Sequence, residues 1–337
     1  MTAYQDDGVQ FMDVSDPSNP TAVAAVTHGG SFVLDGAEGV ATFTIGGSTY
    51  AAVTSYLDDT VQLIDVSTPS SPTAVSQAVD GAGGFTTLNG ARGVAIFTIG
   101  ASTYAIVAAA QDHGVQMIDV SDPSSPTAVA AVTTGGGFVL NGATGVATFT
   151  IGGSTFAAVT SLSGDTVQLI DVSTPSSPTA VSQAVDDAGG FTALDGPRGV
   201  AIFTIGGSTY AIVVSAVDDG VQLIDVSDPS SPTAMFAATD GTSPYEELNG
   251  AWGVATFSIS GRTFALVAAS VDDSLTLIDV RDQGSHTASS TMPAPCTATA
   301  VSNQASHSAP PHPHARHPMH SAPHSAALTV LWCAWHR

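Results

Sequence analysis

The stretch Leu223-Ile224-Asp225-Val226-Ser227 decides the fold, because close copies of it occur six times in the chain. The aspartates at the centre of these copies are separated by 52, 54, 52, 54 and 54 residues. A fixed period of about this size is the signature of a repeat architecture. The six aspartates are Asp13, Asp65, Asp119, Asp171, Asp225 and Asp279.

Each period contains four short runs that are typical of β-strands. In the third period these runs are residues 93–99, 103–109, 115–120 and 127–133. They are rich in Val, Ile, Thr and aromatic residues and are bounded by Gly, Pro, Asp and Ser. Four antiparallel strands per period predict an all-β fold, a β-propeller built of four-stranded blades. The alternative is a β-solenoid, which tight turns such as Asp219-Gly220 disfavour because they favour hairpins.

The number of blades follows from counting the repeated strands. The third strand occurs six times, but the first strand only five times, and the last unit has no recognisable fourth strand. We therefore expect about six blades and an incomplete ring, with a fragment of a larger ring as the alternative. Units also match in pairs at an offset of 106 residues, which indicates duplication of a two-blade unit.

Charge excludes some classes of partner. The formal net charge is −23, there is no lysine, and 28 of the 29 acidic residues precede Arg281. Binding to nucleic-acid phosphates or to an anionic membrane needs clustered Lys and Arg, so neither is expected. No apolar run reaches the ~18 residues of a membrane span, and no signal peptide is visible at the polar start of the chain.

The composition changes abruptly after residue 281, so we predict a propeller domain over 1–281 and a separate tail over 282–337. Eight of the ten histidines and both cysteines lie in the tail, and there is no acidic residue from Gln283 onward. A His-rich metal-binding tract is one interpretation. The other is a frameshift artefact, and a Pro/Ser/His/Ala-rich composition predicts disorder in either case.

The phrase from Leu223 to Pro232 resembles the LVIVD repeat of bacterial, archaeal and some eukaryotic surface or secreted proteins, and the likeness covers Met1 to about Arg281. The resemblance implies a β-propeller in an extracellular or cell-surface setting. It implies no defined reaction.

Two sets of acidic residues have structural interpretations. The six repeated aspartates precede a Ser-x-Pro corner, where a carboxylate can accept backbone N–H groups of a tight turn, so we assign them to structural corners. The turn before each third strand is also acidic, as at Asp58-Asp59 and Asp218-Asp219. A weak calcium site is one interpretation of these turns, and a hairpin turn that needs positive φ is the other.

One position differs between otherwise similar copies, in the phrase that opens each first strand. Its residues should surround the mouth of the central channel, where they could bind an anionic or carbohydrate-like ligand; drift at an exposed loop is the alternative. The variable residues are Glu38, Arg92, Thr144, Arg198 and Trp252.

The aromatic residues of the preceding loops are expected to pack between blades: Phe32, Phe85, Phe138, Phe191 and Tyr245.

Nucleophilic catalysis finds no support within the repeats, which contain no Cys or Lys and only His28 and His113. We therefore expect a non-enzymatic scaffold for extracellular or cell-surface binding or adhesion, with a protein or carbohydrate ligand and no cofactor beyond weak calcium. The alternatives are a carboxylate-dependent hydrolase and a calcium-stabilised structural surface protein. The sequence leaves the oligomeric state open.

Overall fold

The computed structural model describes residues 1–16 and 18–280, and these form a six-bladed β-propeller. Twenty-two strands pair into six antiparallel sheets, and no helix is present in this part of the chain. The predicted fold class is therefore confirmed. The predicted tail, 282–337, lies outside the described residues.

Four blades have four strands and two have three. Blade 1 contains β1 (Thr2–Ala3), β2 (Gly8–Asp13) and β3 (Thr21–Thr27). Blade 6 contains β20 (Ala251–Ile259), β21 (Arg262–Ala269) and β22 (Ser274–Val280). Blade 1 thus has no counterpart of the first strand, and blade 6 has no fourth strand among the described residues, as the strand count predicted.

The four complete blades are simple antiparallel meanders. Blade 2 has β4 (Ala37–Ile45), β5 (Ser48–Ser55), β6 (Thr60–Asp65) and β7 (Thr73–Val79). Blade 3 has β8 (Ala91–Ile99), β9 (Ser102–Ala109), β10 (Gly114–Asp119) and β11 (Thr127–Thr133). Blade 4 has β12 (Ala143–Ile151), β13 (Ser154–Ser161), β14 (Thr166–Asp171) and β15 (Thr179–Val185). Blade 5 has β16 (Pro197–Ile205), β17 (Ser208–Ser215), β18 (Gly220–Asp225) and β19 (Thr233–Thr239).

The core lies between blades. Side chains alternate across a strand, so each blade has two apolar faces. On β14, Leu169 packs with residues of blade 5, whereas its neighbour Ile170 packs with residues of blade 3. The loop aromatics join the same clusters, with Phe85 and Phe191 each only 5% exposed. Each blade is therefore stabilised by burial against both neighbours.

Blades 1 and 6 each have one face that no other blade of the described chain covers. Leu277 of blade 6 is 46% exposed, whereas its counterpart Leu223 in blade 5 is 5% exposed. Met12 of blade 1 is 40% exposed, whereas its counterpart Ile64 in blade 2 is fully buried. Five interblade clusters join successive blades from 1 to 6, and none in the described part of the chain joins blade 6 to blade 1.

The repeated aspartates organise the corner after each third strand. In Asp171 and its counterparts in blades 1, 2, 3 and 5, Oδ1 accepts the backbone N–H of the serine two residues later, at 2.8–2.9 Å. In blades 2 to 5, that serine's hydroxyl also accepts the N–H of the threonine near the start of the second strand, as Ser173 does from Thr155 at 2.9 Å. Asp279 differs, because Arg262 donates to its carboxylate.

A second interaction ties each blade to the next. The residue before the third strand has a positive φ, and in blades 1 to 5 its side chain accepts the N–H of a glycine in the loop before the following blade. We call these five side chains the latch residues. Asp219, for example, accepts from Gly250 at 2.7 Å. The latch residues are Asp7, Asp59, His113, Asp165 and Asp219.

We predict that Asp171→Ala lowers the free energy of unfolding by about 1–2 kcal/mol, because the Ser173 N–H loses its acceptor. Asp171→Asn keeps an acceptor oxygen at the same place and is expected to retain most of the stability. Urea unfolding of both variants measures the difference. Equal stabilities of the Ala variant and the unaltered protein would contradict the corner role.

We predict that Asp219→Ala is more destabilising than Asp273→Ala by about 1–2 kcal/mol. The two aspartates have φ of 50° and 51°, so both substitutions place alanine in the same strained conformation. Only Asp219 holds a glycine of a following blade. Thermal and urea unfolding of the pair compare them, and equal losses would show that the turn conformation matters and the latch does not.

Candidate functional site

The five variable residues occupy the second position of the five first strands. Each lies in a β-bulge, where the first strand has one more residue than its partner. In blade 2, for example, Ala37 pairs with Ser55 and Val40 with Val53, so that Glu38 and Gly39 face a single residue. Bulges re-aim side chains and are common beside functional sites. The register shifts at the same place in blades 3, 4, 5 and 6.

Glycines bring the first strands of neighbouring blades close together at these positions. A Cβ on Gly39 would lie 2.2 Å from the carbonyl oxygen of Arg92, and one on Gly145 would lie 2.2 Å from that of Arg198. Only glycine allows the backbones of neighbouring blades to approach so closely. We call the resulting group the channel ring, defined as Glu38, Arg92, Thr144, Arg198 and Trp252.

Glu38 and Arg92 form an ion pair across the boundary between blades 2 and 3. Arg92 Nη1 donates to Glu38 Oε1, and the side chains are only 17% and 16% exposed. The Arg92 guanidinium also lies 4.2 Å from the ring centre of Tyr56. Burial raises the pKa of the Glu38 carboxyl, and the nearby Arg92 charge opposes that rise. Arg92 is therefore both neutralised and held in place.

Arg198 has a different environment. Its guanidinium lies 3.7 Å from the ring centre of Trp252, a favourable cation–π geometry. No carboxylate in the described part of the chain lies within ion-pair distance of it. Burial lowers the pKa of Arg198, and the charge of Arg92 lowers it further. Arg198 is therefore a partly desolvated cation without a counter-ion in the described structure.

Thr144 is the remaining member of the ring, and its side chain is buried and hydrogen-bonded within the fold. It is 6% exposed, and its hydroxyl lies 2.9 Å from that of Thr160 and 3.2 Å from the carbonyl oxygen of Pro197. Thr160 in turn donates to the carbonyl oxygen of Arg198 at 2.5 Å. Thr54 holds the carbonyl oxygen of Arg92 in the same way. Threonines of blades 2 and 4 thus position the arginines of blades 3 and 5.

Buried polar atoms without a hydrogen-bond partner concentrate in the ring. They include Glu38 Oε2, Arg92 Nε and Arg198 Nε. Most buried polar groups are paired, because leaving one unpaired costs about 1–3 kcal/mol. A cluster of unpaired polar atoms lowers the stability of the fold at this place. Local destabilisation of this kind is common at functional sites.

The comparison between copies selected the five ring residues but not Tyr56, which the Arg92 guanidinium contacts. This residue follows the second strand of blade 2, and Ala110, Leu162, Ala216 and Ser270 occupy the same place in blades 3 to 6. Tyr56 could therefore also have been found from a difference between copies. The comparison missed it because it covered only the phrase that opens the first strand.

The LVIVD repeat family model matches four segments of the chain, residues 2–28, 49–79, 102–134 and 209–240. These segments run from the second to the fourth strand of blades 1, 2, 3 and 5. The chain carries LVIVD repeats. All five channel-ring residues lie outside the matched segments, which cover the second to fourth strands of these blades and not the first strands that carry the ring.

Solved structures share the fold of the LVIVD-repeat chain at low sequence identity. A periplasmic gluconolactonase of Pseudomonas aeruginosa has a TM-score of 0.56 and 17% identity, with 80% of this chain and 72% of that chain covered. A functionally unknown protein of Desulfotomaculum acetoxidans has a TM-score of 0.53 and 14% identity, with 82% and 77% covered. A protein of Lactobacillus plantarum has a TM-score of 0.52 and 16% identity, with 78% and 74% covered. No curated protein matches the chain in sequence.

The acidic turns use their carboxylates on backbone donors. The first acid of a turn accepts an N–H of the loop before its own blade, as Asp218 does from Asp195 at 2.7 Å. The second is the latch residue. Within residues 1–16 and 18–280, no group of three or more His, Cys, Asp or Glu side chains is arranged to hold a metal ion. The same residues include no helix long and apolar enough to cross a bilayer.

Carboxylates nevertheless crowd at some blade boundaries. Burial raises the pKa of Asp195, and the charges of Asp165 and Asp218 raise it further. The pKa of Asp112 is raised by burial and by Asp80 and Asp59. At the position of Asp195, blades 3, 4 and 6 have asparagine instead. The crowding is therefore a charge cost that other blades of the same chain avoid.

We predict that Asp195→Asn raises the melting temperature at pH 7.5. A raised pKa in the folded state means that this group favours folding below its unfolded pKa and loses that contribution as pH rises through the folded pKa. The gain from asparagine should therefore be largest well above the folded pKa of Asp195 and shrink as pH falls through that pKa toward pH 4. The reverse change, Asn249→Asp, should lower the melting temperature with the same pH dependence. A pH-independent effect in both variants would contradict this account.

Proposed function

We propose that the protein is a non-enzymatic binding scaffold whose channel ring binds an acidic carbohydrate. The observation that carries this proposal is the Arg198 guanidinium, which lies 3.7 Å from the Trp252 ring centre and has no acidic partner in the described structure. Such a ligand has two parts that suit the site: an anionic group that can bind Arg198 and a sugar ring that can pack on Trp252.

The free-energy cost of burying the unpaired Arg198 charge favours an anionic ligand. A charge removed from water without a counter-ion is costly, and the fold retains that cost at Arg198. An anionic group at the guanidinium would offset it through charge-assisted hydrogen bonds, which are roughly twice as strong as neutral ones. Arg198 is stacked on Trp252 and therefore already ordered, so binding would lose little side-chain entropy.

The charge distribution also favours this site. On a chain of net charge −23 without lysine, an anion is repelled from most of the surface. Arg198, beside the Arg92–Glu38 ion pair, is a local positive centre, and Trp252, which is 43% exposed, offers the adjoining apolar face. Aromatic rings beside a polar group suit the amphipathic faces of sugars, because a pyranose has both C–H and hydroxyl edges.

Two alternatives have less support. Glycoside hydrolysis needs two carboxyl groups that flank the bond to be cleaved, whereas the ring offers one, Glu38, which is paired with Arg92. The gluconolactonase likeness concerns the fold, at 17% identity. A calcium-stabilised structural protein would need the acidic turns to coordinate the ion, yet their carboxylates accept backbone N–H groups.

The setting that we propose is extracellular or cell-surface, and the LVIVD repeats are the support for it. Adhesion would then follow from recognition of an acidic glycan by one face of the propeller.

The test is a glycan array that contains neutral, uronate-bearing, sialylated and sulfated oligosaccharides. We expect the protein to bind acidic members, and Arg198→Ala to weaken that binding about tenfold to a hundredfold, as expected for loss of a hydrogen bond to a charged group. Arg92→Ala should also weaken it, because Glu38 would then be unpaired and would repel the ligand.

The matched control is Arg262→Ala. It removes the same charge from an exposed side chain that pairs with Asp279, and so should leave binding unchanged. Intrinsic fluorescence of Trp252 should change on binding, with Trp252→Phe as the baseline. Absence of any acidic binder, or equal effects of Arg198→Ala and Arg262→Ala, would overturn the proposal.

A further inference from the structure

We propose that Glu38 sets the charge selectivity of the channel ring, so that the site accepts a singly charged anion and rejects a doubly charged one. The inference rests on the proposed function and specifies its ligand class, a carboxylate-bearing sugar rather than a sugar phosphate.

The ring has two cations: one is paired with an acidic residue of the protein, and the other has no acidic partner in the described structure. Arg92 donates to Glu38, is packed on Tyr56 at 4.2 Å, and is 17% exposed. Arg198 has no such partner and instead contacts Trp252. Two guanidinium groups and one carboxylate leave a single net positive charge in the ring.

The three charges act on one another although they come from three blades. The charge of Arg92 lowers the pKa of Arg198, whereas the charge of Glu38 raises it. The charge of Arg198 in turn lowers the pKa of Glu38. An incoming anion at Arg198 would therefore also experience both Arg92 and Glu38, so removal of either charge changes the free energy of binding.

Burial increases these effects. Glu38 Oε2, Arg92 Nε and Arg198 Nε are all buried without hydrogen-bond partners, so water screens the ring charges poorly. A monoanion would neutralise the ring. A dianion would leave an excess negative charge next to the Glu38 carboxylate, on a chain whose remaining surface is also acidic.

No other ring member can take over the role of Glu38. Thr144 and Trp252 carry no charge. The residues that occupy the same position in blades 3 and 5 are the arginines themselves. Glu38 is therefore the single acidic member of the ring, placed by a bulge in the first strand of blade 2.

The experiment uses three sugars that differ only at carbon 6. Galactose is neutral, galacturonate is a monoanion, and galactose 6-phosphate is mostly a dianion at pH 7.5, since a phosphate monoester has its second pKa near 6. Titration calorimetry, checked by Trp252 fluorescence, gives an affinity for each. For the unaltered protein we expect galacturonate to bind best.

The deciding variant is Glu38→Gln, which leaves two net positive charges in the ring. The affinity for galactose 6-phosphate relative to galacturonate should rise about tenfold or more. Asp228→Asn makes the same change in net charge at the exposed turn between β18 and β19, and should leave this ratio unchanged.

A second variant separates charge from shape. Glu38→Gln combined with Arg92→Gln removes both members of the ion pair and returns the ring to one net positive charge. Preference for galacturonate should return in the double variant, with melting temperatures reporting that each protein is folded. A dianion preference that persists in the double variant would show that Glu38 shapes the site sterically, and would overturn the inference.

The outcomes distinguish the two proposals. If the unaltered protein binds none of the three sugars, the proposed recognition of an acidic sugar at the ring fails. If it binds galacturonate and the phosphate-to-carboxylate ratio is the same in Glu38→Gln, recognition stands and the role of Glu38 in selectivity fails.

Discussion

Everything in this propeller depends on contact between successive blades. A single blade has two apolar faces and cannot bury either alone, as Leu277 illustrates on the face of blade 6 that no other described blade covers. Burial supplies most of the stabilisation, but it is not directional. The latch residues add direction, because each holds a backbone N–H of the next blade at a fixed distance. Five interfaces repeat this arrangement, so the residues that form them are alike in every copy.

Because the contacts between blades must be kept in every copy, sequence differences between copies fall mainly at positions outside these contacts. The bulge at the start of each first strand breaks the regular pairing at one residue, and that residue differs from copy to copy. Close backbone approach at Gly39 and Gly145 then gathers these side chains from successive blades into one group. Five copies of one strand can therefore supply a carboxylate, two guanidinium groups, a hydroxyl and an indole. A repeat protein obtains an asymmetric site from a nearly symmetric fold in this way.

The fold could be predicted from the sequence because its determinants recur within a single period. The strands, the corner aspartates and the uneven ends were all readable in the copies of Leu223-Ile224-Asp225-Val226. The disagreement between copies also selected the five ring residues, and their role as a ligand site at the channel mouth stays a prediction. The pairings of these residues were not readable, because the contacts of Glu38 with Arg92 and of Arg198 with Trp252 depend on how the blades are arranged around the axis. For the same reason the sequence did not reveal that Thr144 is buried or that Tyr56 supports Arg92.

The central claim is that Arg198 and Trp252 together form the contact surface for an acidic sugar. A crystal structure of the protein grown with galacturonate tests it most directly. The account predicts density for the sugar at the channel mouth, with its carboxylate within about 3 Å of the Arg198 guanidinium and its ring against Trp252. A galacturonate bound elsewhere, with Arg198 still stacked on Trp252 and free of the ligand, would contradict it.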